Sequence, residues 1–201
     1  MRKSEKRYDR AYFDRWYRGA RSRIASTESH ARKVHLAVSA AEYVLERPIR
    51  SVLDIGCGEG LWFPLLRRLR PKVRYIGVDP SEYVVRRFGG RRNIRLGDFA
   101  SLHRLRLPAK QDLIVCSDVL QYVPDADILR GLRRVQRMLG GIAYIEAFTA
   151  DDDMTGDMEG WHYRPASFYR RAFREAGLTA CGLHCFAGRE RAGSLVAMET
   201  L

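Results

Sequence analysis

Residues 52–60 read VLDIGCGEG, an apolar run that leads into three glycines separated by single residues. Such a run is typical of a strand, and glycines allow the positive φ angles and close backbone approach that a ligand-binding turn needs. In open α/β sheets, ligands bind beyond the carboxyl ends of the strands at such turns. A dinucleotide fingerprint needs its third glycine one residue later, where the chain has Leu61, so the spacing disfavours a nicotinamide site. The stretch therefore predicts a strand, a ligand-binding turn and a helix.

Short apolar runs alternate with helical patterns along the rest of the chain. Residues 113–116 are apolar on both faces, which suits a parallel strand covered by helices on both sides. The alternation predicts an α/β fold: a Rossmann-like, doubly wound, mostly parallel seven-stranded sheet. We expect the last two strands, joined by residues 187–193, to form an antiparallel hairpin at one edge. The strand candidates are residues 51–54, 73–78, 93–96, 112–116, 142–148, 178–186 and 194–198.

Two N-terminal capping helices are expected before the first strand. Tyr8, Tyr12 and Trp16 recur every four residues and predict an amphipathic aromatic segment that lies on the body of the domain. Ser26 or Thr27 can cap the second helix. The helices expected after the first strand are residues 61–69, 81–88, 125–139 and 165–176.

Acidic residues follow several of the expected strands. Asp79, about 20 residues past the glycines, can accept hydrogen bonds from both hydroxyls of a ribose. Asp98 and Phe99 can bind the amino group of an adenine and cover its ring face. Ser117 and Asp118 end the next strand. Each carboxylate could instead cap a turn or a helix, and Phe99 could be an ordinary core residue, but together these residues predict a nucleoside site along one edge of the sheet.

The order VLDIGCGEG, IGVD, GDF and DLIVCSDVL resembles the class I S-adenosylmethionine-dependent methyltransferases over residues 48–186. The resemblance implies S-adenosylmethionine as the cofactor. It places the methionine part at Asp54 and the glycine turn, where backbone amides suit the carboxylate, and it places the methyl-donor end near Asp118. The cofactor-binding residues implied in this way are Tyr12 and Tyr17 from an N-terminal lid, Asp54, Gly56, Cys57, Gly58, Asp79, Pro80, Asp98, Phe99, Ser117 and Asp118.

The segment after the fifth expected strand, residues 149–164, is long and carries no helix or strand pattern, which is typical of a functional loop. Its Trp161-His162-Tyr163 offers two aromatic walls and an imidazole that can act as a general base near neutral pH. Tyr122 stands where related enzymes place His or Tyr near the acceptor. His162, Tyr163 and Tyr122 are therefore the catalytic candidates, and a surface histidine is the alternative for His162.

The chain after Asp118 contains no Pro-Pro pair, which counts against the amino groups of nucleic-acid bases and glutamine amides as acceptors. We expect a small-molecule acceptor methylated at oxygen or nitrogen. Two alternatives stay open: an RNA methyltransferase that uses the basic N-terminal arm, and a silent module that binds the cofactor without turnover. Glu146 could face the site or pair with an arginine.

Composition bounds the remaining possibilities. The 201 residues are 46% apolar and suit one domain, with lid helices in 1–47 and a Rossmann-like core in 48–201. No apolar run approaches membrane length and no secretion signal is visible, so we expect a cytoplasmic protein with no membrane partner. The net charge is +12, and residues 1–23 hold nine basic against three acidic side chains, which keeps nucleic acid as the less favoured partner. The Cys181–Cys185 segment lacks a full zinc ligand set, so no metal is expected.

Overall fold

A computed structural model describes residues 6–19, 27–154, 156–193 and 195 of the chain. The strands are β1 (Ser51–Ile55), β2 (Arg74–Asp79), β3 (Ile94–Leu96), β4 (Gln111–Ser117), β5 (Leu139–Glu146), β6 (Leu178–Gly182) and β7 (Cys185–Gly188). They form one sheet in the order β3-β2-β1-β4-β5-β7-β6, parallel except for β7, which is antiparallel to both neighbours. The expected Rossmann-like, mostly parallel sheet is confirmed.

The helices lie between the strands, as the sequence predicts. None of those described combines the length and apolar character that a membrane span needs. The second N-terminal helix begins at Thr27, whereas the other predicted cap, Ser26, lies outside the described residues. The helices are α1 (Arg10–Phe13), which continues as a π-helical turn (Asp14–Arg18), α2 (Thr27–Leu45), α3 (Trp62–Leu69), α4 (Glu82–Arg92), α5 (Asp125–Met138), α6 (Ala166–Ala176) and α7 (Arg189–Ala192), with a 3₁₀ turn (Leu120–Tyr122) after β4.

Helices cover both faces of the sheet because alternate residues of each strand point to opposite sides. On one face, Leu53 and Ile114 pack into a core with residues of α5 and α6. On the other, Val52 and Leu113 pack with residues of α2 and α3. With both faces of the central strands buried, a ligand is left with the carboxyl ends of β1, β2 and β4, which meet at one edge of the sheet.

The antiparallel edge is built differently from the prediction. The sequence predicts one strand over residues 178–186 and another over 194–198, but β6 and β7 together occupy the first of these segments and the two residues beyond it. The chain reverses at Leu183-His184, whose φ angles are 48° and 64°. Positive φ at both central residues is what a two-residue hairpin turn requires, and it is usually marked by Asn or Gly. Because the two central positions hold Leu and His instead, the sequence pattern did not indicate a turn here.

Two consequences follow from this hairpin. Cys181 and Cys185 lie on two different strands, although the sequence predicts one strand over residues 178–186 that contains both. Ser194 and residues 196–198, assigned by the sequence to the last strand, lie outside the described residues. Within the described ranges, no group of three or more His, Cys, Asp or Glu side chains is placed to hold a metal ion.

The N-terminal aromatic segment, residues 6–18, lies on the body of the domain and is called the lid below. Asp9 caps α1 by accepting a hydrogen bond from the Tyr12 N–H at 3.0 Å. Phe13 is buried in a small core with Val84 and other residues of α4. Ser81 also donates a hydrogen bond from its hydroxyl to the Tyr8 carbonyl at 2.5 Å. The lid is therefore anchored beside the start of α4, next to the glycine turn.

Candidate active site

The glycine turn leaves the end of β1. Gly56, Gly58 and Gly60 have φ angles of 67°, 53° and 72°, which other residues adopt only with strain. A Cβ at Gly56 would collide with Val119, and a Cβ at Gly58 would collide with the Tyr17 hydroxyl. Glycine is therefore needed at both positions, since neighbouring side chains pack directly on the backbone.

The N–H groups of this turn are largely engaged within the protein. Gly56 and Cys57 both donate to the Val78 carbonyl, at 2.7 and 3.1 Å. Gly58 donates to the Asp79 carboxylate at 2.7 Å. These three amides are not free to hold the carboxylate of a ligand, contrary to the expectation from the sequence.

Asp79 ends β2 and joins the glycine turn to α4. Its carboxylate accepts hydrogen bonds from the Gly58 N–H at 2.7 Å and the Ser81 N–H at 2.9 Å, and the residue is 5% exposed. Burial raises the pKa of Asp79 to about 6, although these two hydrogen bonds lower it. The hydrogen bond from Ser81, at the start of α4, is the contact expected if Asp79 caps this helix. The hydrogen bond from Gly58 also places the carboxylate beside the glycine turn, where the sequence predicts a ribose.

Asp54 lies buried on the neighbouring strand. It accepts a hydrogen bond from the Tyr75 hydroxyl at 2.7 Å. Burial raises the pKa of Asp54 to about 7, and the charge of Asp79 adds to the rise. Within the described residues, neither carboxylate has an ion-pair partner. A bound cation would lower both pKa values, because an opposite charge nearby favours the ionised form.

A polar network closes the end of β4. The buried Glu146 accepts hydrogen bonds from the Lys33 ammonium at 2.6 Å and the Ser117 hydroxyl at 2.5 Å. The main-chain N–H of Asp118 donates to the Glu146 carbonyl at 3.0 Å. Glu146 thus faces the site and pairs with a lysine, where the sequence left an arginine open.

Asp118 has a left-handed backbone, with φ at 61°. Burial raises the pKa of Asp118 to about 6, against a hydrogen bond from the Gln121 amide, which lowers it. Gln121 is completely buried, and its Oε1 has no hydrogen-bond partner among the described residues. Backbone strain and an unpartnered buried acceptor are features that proteins retain at functional sites.

The lid brings both of its predicted tyrosines to this site. The Tyr17 hydroxyl lies on Gly58, and Arg18 forms an ion pair with Glu59 at 2.5 Å. Burial raises the pKa of Tyr17 well above its usual range. Burial likewise raises the pKa of Tyr12, and the charge and hydrogen bonding of Asp157 raise it further. Both phenols therefore stay neutral, and Tyr17 covers the turn.

The loop of residues 149–164 lies over the 3₁₀ turn that follows β4. The main-chain N–H of His162 donates to the Gln121 carbonyl at 2.8 Å, whereas the His162 side chain is exposed. Tyr163 is 64% exposed and stacks on Trp161, with ring centroids 5.6 Å apart. Tyr122 is half-buried and donates from its hydroxyl to a loop carbonyl at 2.7 Å. Of the three catalytic candidates, Tyr122 lies within the site, and the other two present exposed side chains on the loop.

The residues predicted to bind adenine are not brought together. Asp98 is exposed and accepts a hydrogen bond from the Ser101 N–H at 2.7 Å, which closes a turn. Phe99 is 2% exposed and packs in the core against Gly131, where a Cβ would collide with its ring. Pro80 is exposed at the start of α4. Phe99 is thus a core residue, which was the alternative to a role in adenine binding.

Sequence reasoning missed several groups of the site. Lys6 and Asp157 form an ion pair across the lid and the loop, and Lys33 reaches Glu146 from α2. Arg164, which is 4% exposed, anchors the loop by donating to the Leu120 carbonyl at 3.0 Å. The only available signals were the aromatic spacing of the lid and the length of the loop, and neither says which residues meet.

A model of the methyltransferase domain family matches residues 17–181. The chain belongs to the methyltransferase domain family. The match covers the lid end, the glycine turn and the whole parallel part of the sheet. The resemblance to the class I methyltransferases is thereby confirmed.

A curated protein is similar in sequence to part of this methyltransferase domain. The trans-aconitate 2-methyltransferase of Rhodopseudomonas palustris (strain BisB18) is 33% identical over 104 residues, which are 51% of this chain and 38% of that protein. The chain thus spans about two-fifths of the curated relative that it matches.

Solved structures share the fold over most of the chain. DesVI of Streptomyces venezuelae has a TM-score of 0.63 at 14% identity, covering 83% of this chain and 94% of that one. Magnesium protoporphyrin IX methyltransferase (ChlM) of Synechocystis PCC 6803, solved with bound SAH, has a TM-score of 0.56 at 18% identity, covering 86% and 87%. At these identities the likeness shows that the fold is the same.

Proposed function

We propose that the chain is an S-adenosylmethionine-dependent methyltransferase that acts on a small molecule at oxygen or nitrogen. One observation carries the proposal: the buried Asp54 and Asp79 and the half-buried Asp118 lie at one sheet edge with raised pKa values and no ion-pair partner among the described residues. A carboxylate that is removed from water without an ion-pair partner is stabilised in its ionised form when a cation binds to it or a hydroxyl donates a hydrogen bond to it. S-adenosylmethionine has both, a sulfonium and ammonium at one end and a ribose next to them.

The chain's own residues divide the binding tasks. Asp54, buried in β1 just before the glycine turn, suits the ammonium of the methionine part. Asp79 suits the ribose hydroxyls, while Ser117 and Asp118 border the methyl-donor end. Tyr17 covers the turn and excludes water, which strengthens each of these electrostatic contacts.

The bound cofactor supplies the methyl group: the acceptor's lone pair forms a bond to the methyl carbon, and the carbon–sulfur pair stays on sulfur as S-adenosylhomocysteine. The protein's contribution to such an in-line displacement is alignment and exclusion of water. His162 remains our candidate base for a hydroxyl acceptor. Turnover that is undiminished in a His162→Ala variant at every pH would remove it from that role.

Binding of S-adenosylhomocysteine tests the cofactor assignment. We expect Asp79→Ala to weaken binding at least about 100-fold, because the variant loses a buried charge-assisted acceptor and loosens the glycine turn. Asp127→Ala, which removes an exposed ion pair with Arg130 on α5, is the matched control and should bind as the wild type does. Titration calorimetry that finds equal affinity for both variants contradicts the assignment.

The acceptor class is tested with cofactor labelled on its methyl group. We expect label from a cell extract to enter the small-molecule fraction. One residue of the basic arm supports this expectation, because the Lys6 side chain is 11% exposed and pairs with Asp157 instead of facing outward as part of a nucleic-acid surface. Label that enters RNA supports the RNA alternative, and cofactor binding with no labelled product supports the silent module.

A further inference from the structure

The ammonium of Lys6 is enclosed by three aromatic rings. Its Nζ lies 3.9 Å from the ring centroid of Tyr122, 5.2 Å from that of Tyr8 and 5.5 Å from that of Tyr12. It also pairs with the Asp157 carboxylate. We call Tyr8, Tyr12, Tyr122 and Asp157 the tyrosine cage. The cage is built from two separate parts of the fold, the lid and the 3₁₀ turn with its covering loop.

The cage is a closed environment. The side chain of Lys6 is 11% exposed and that of Asp157 is 6% exposed. The Tyr122 hydroxyl donates to the Asp157 carbonyl at 2.7 Å, and Lys6 donates to the Glu159 carbonyl at 2.9 Å. Aromatic faces attract a cation most strongly where water is excluded. The cage is therefore a specific site for an alkylammonium group, and a lysine of the same chain occupies it here.

The cage borders the site proposed for methyl transfer. The charges of Asp79 and Asp118 both contribute to raising the pKa of Tyr8, after burial and Asp157. Asp118 and Asp157 likewise raise the pKa of Tyr122, after burial. Hydrogen bonds give the same placement: Ser81 donates from its hydroxyl to the Tyr8 carbonyl and from its N–H to Asp79, and Gln121, the chain neighbour of Tyr122, donates to Asp118. A group in the cage thus lies near the carboxylates at the ends of β2 and β4.

The described charges of the site leave room for a further cation. Lys33 is committed to Glu146, and Lys6 to Asp157. Next to Asp118, the fully buried Gln121 has an Oε1 with no hydrogen-bond partner in the described part of the chain. An ammonium group has three N–H donors, which suits an unpartnered acceptor beside carboxylates.

We infer that the acceptor is an amine whose alkylammonium group enters the tyrosine cage in place of Lys6. The inference rests on the proposed function, which it narrows from oxygen or nitrogen to nitrogen. A neutral hydroxyl gains little from the three rings, and an anionic acceptor is repelled by Asp157. Lys6 then fills the cage when no acceptor is bound, and it holds the lid against the loop.

The amine must lose a proton before its lone pair can attack. The Asp118 carboxylate, half-buried at the end of β4, accepts that proton, and the neutral nitrogen then forms its new bond to carbon. The positive charge of a nearby sulfonium disfavours the protonated amine. The bonding pair from carbon to sulfur leaves with sulfur, so the atoms and charges balance.

Removal of Lys6 separates the inference from a purely structural role. When an internal group occupies a binding site, the apparent Kd of a competing ligand equals its intrinsic Kd divided by the fraction of time for which the site is free. If Lys6 occupies the cage for about nine-tenths of the time, Lys6→Met should tighten amine binding about tenfold. We would saturate the protein with S-adenosylhomocysteine and follow n-butylammonium and n-butanol by chemical-shift titration.

The ring variants supply the matched comparison. Tyr122→Phe keeps an aromatic face and should retain most of the n-butylammonium affinity gained in Lys6→Met, whereas Tyr122→Leu should lose it. Tyr43→Leu, at a tyrosine that is 71% exposed on α2, should change nothing. The three variants are compared in the Lys6→Met background.

Three outcomes overturn the inference while the proposed function stands. The first is normal S-adenosylhomocysteine binding with no gain for n-butylammonium in Lys6→Met. The second is an equal gain for n-butanol, since that would show a cavity without preference for charge. The third is tighter binding of S-adenosylmethionine relative to S-adenosylhomocysteine with no gain for the amine, which would assign the cage to the sulfonium. Failure of the wild type to bind S-adenosylhomocysteine counts instead against the proposed function.

Discussion

At the residue scale, the chemistry of the site depends on carboxylates that the fold removes from water. Asp54 is the clearest example, since its only described polar partner is the Tyr75 hydroxyl and burial raises its pKa to about 7. An unfolded aspartate titrates near a pKa of about 3.9. The folded protein therefore holds this proton more tightly than the unfolded chain does between about pH 4 and pH 7.

The consequence is a pH-dependent stability that Asp54→Asn should remove. Because the folded pKa is raised, the contribution of Asp54 is fully present below about pH 4 and is lost as the pH rises through about 7. The asparagine amide introduced by this substitution keeps an acceptor for the Tyr75 hydroxyl but does not titrate. Between about pH 4.5 and pH 8, we expect the unfolding free energy of the wild type to fall by up to a few kcal/mol relative to that of the variant. Urea unfolding at both pH values measures it, and parallel pH profiles would show that Asp54 is not protonated in the folded state.

At the element scale, the site is assembled by contacts between the lid, the 3₁₀ turn and the loop over it. Arg164 connects the last two: its guanidinium donates to the Leu120 carbonyl at 3.0 Å and to Asp125 at 2.8 Å. It also donates to the Tyr169 hydroxyl at 3.1 Å, on α6. The buried Arg164 side chain thus adds to the two hydrogen bonds that His162 and Tyr122 make between the loop and the turn.

Arg164→Met should therefore disturb the acceptor side more than the cofactor side. The variant leaves buried carbonyls without a donor, and we expect it to destabilise the fold by about 2–4 kcal/mol. The acceptor's KM should rise, while the affinity for S-adenosylhomocysteine stays near that of the wild type. Arg170→Met, at an exposed arginine of α6, is the control and should change stability by less than about 0.5 kcal/mol. Equal effects of the two variants in thermal unfolding and in KM would refute this role for Arg164.

At the scale of the whole molecule, the net charge is opposite in sign to the carboxylates of the site. The chain carries a net charge of +12, yet Asp54, Asp79, Asp118 and Asp157 lie together at the sheet edge beneath the lid. A surface charge of this sign favours nonspecific contact with polyanions, and salt screens such contact. The buried carboxylates are screened far less.

Salt dependence should consequently tell the acceptor classes apart. A protein that makes about six to ten phosphate contacts loses about 10³- to 10⁵-fold in affinity between about 50 and 200 mM salt. For a small acceptor we expect kcat/KM to change by less than about tenfold over the same range. Steady-state assays with the labelled cofactor measure this, and a steep loss of kcat/KM would favour RNA.

The sequence by itself determined the parallel part of the sheet and the placement of the carboxylates that we propose as cofactor ligands, since both depend on local patterns. Apolar runs buried on two faces must be strands under helices, and glycines with positive φ are required after β1 wherever this turn occurs. The same local logic failed at Leu183-His184, where ordinary residues adopt hairpin angles. Local patterns also could not decide whether Phe99 covers an adenine or packs in the core, and its packing against Gly131 shows that it lies in the core.

Tertiary structure alone decided which distant side chains meet. Lys6 and Asp157 belong to segments far apart in the chain with no shared pattern, yet they pair in one cage with three tyrosines. Spacing along a helix or strand specifies which face a residue occupies, but not what approaches that face from elsewhere in the chain. The acceptor site that we propose is formed by such approaches, so the selectivity for a cation that we infer for it can be argued only from the contacts between the lid and the loop.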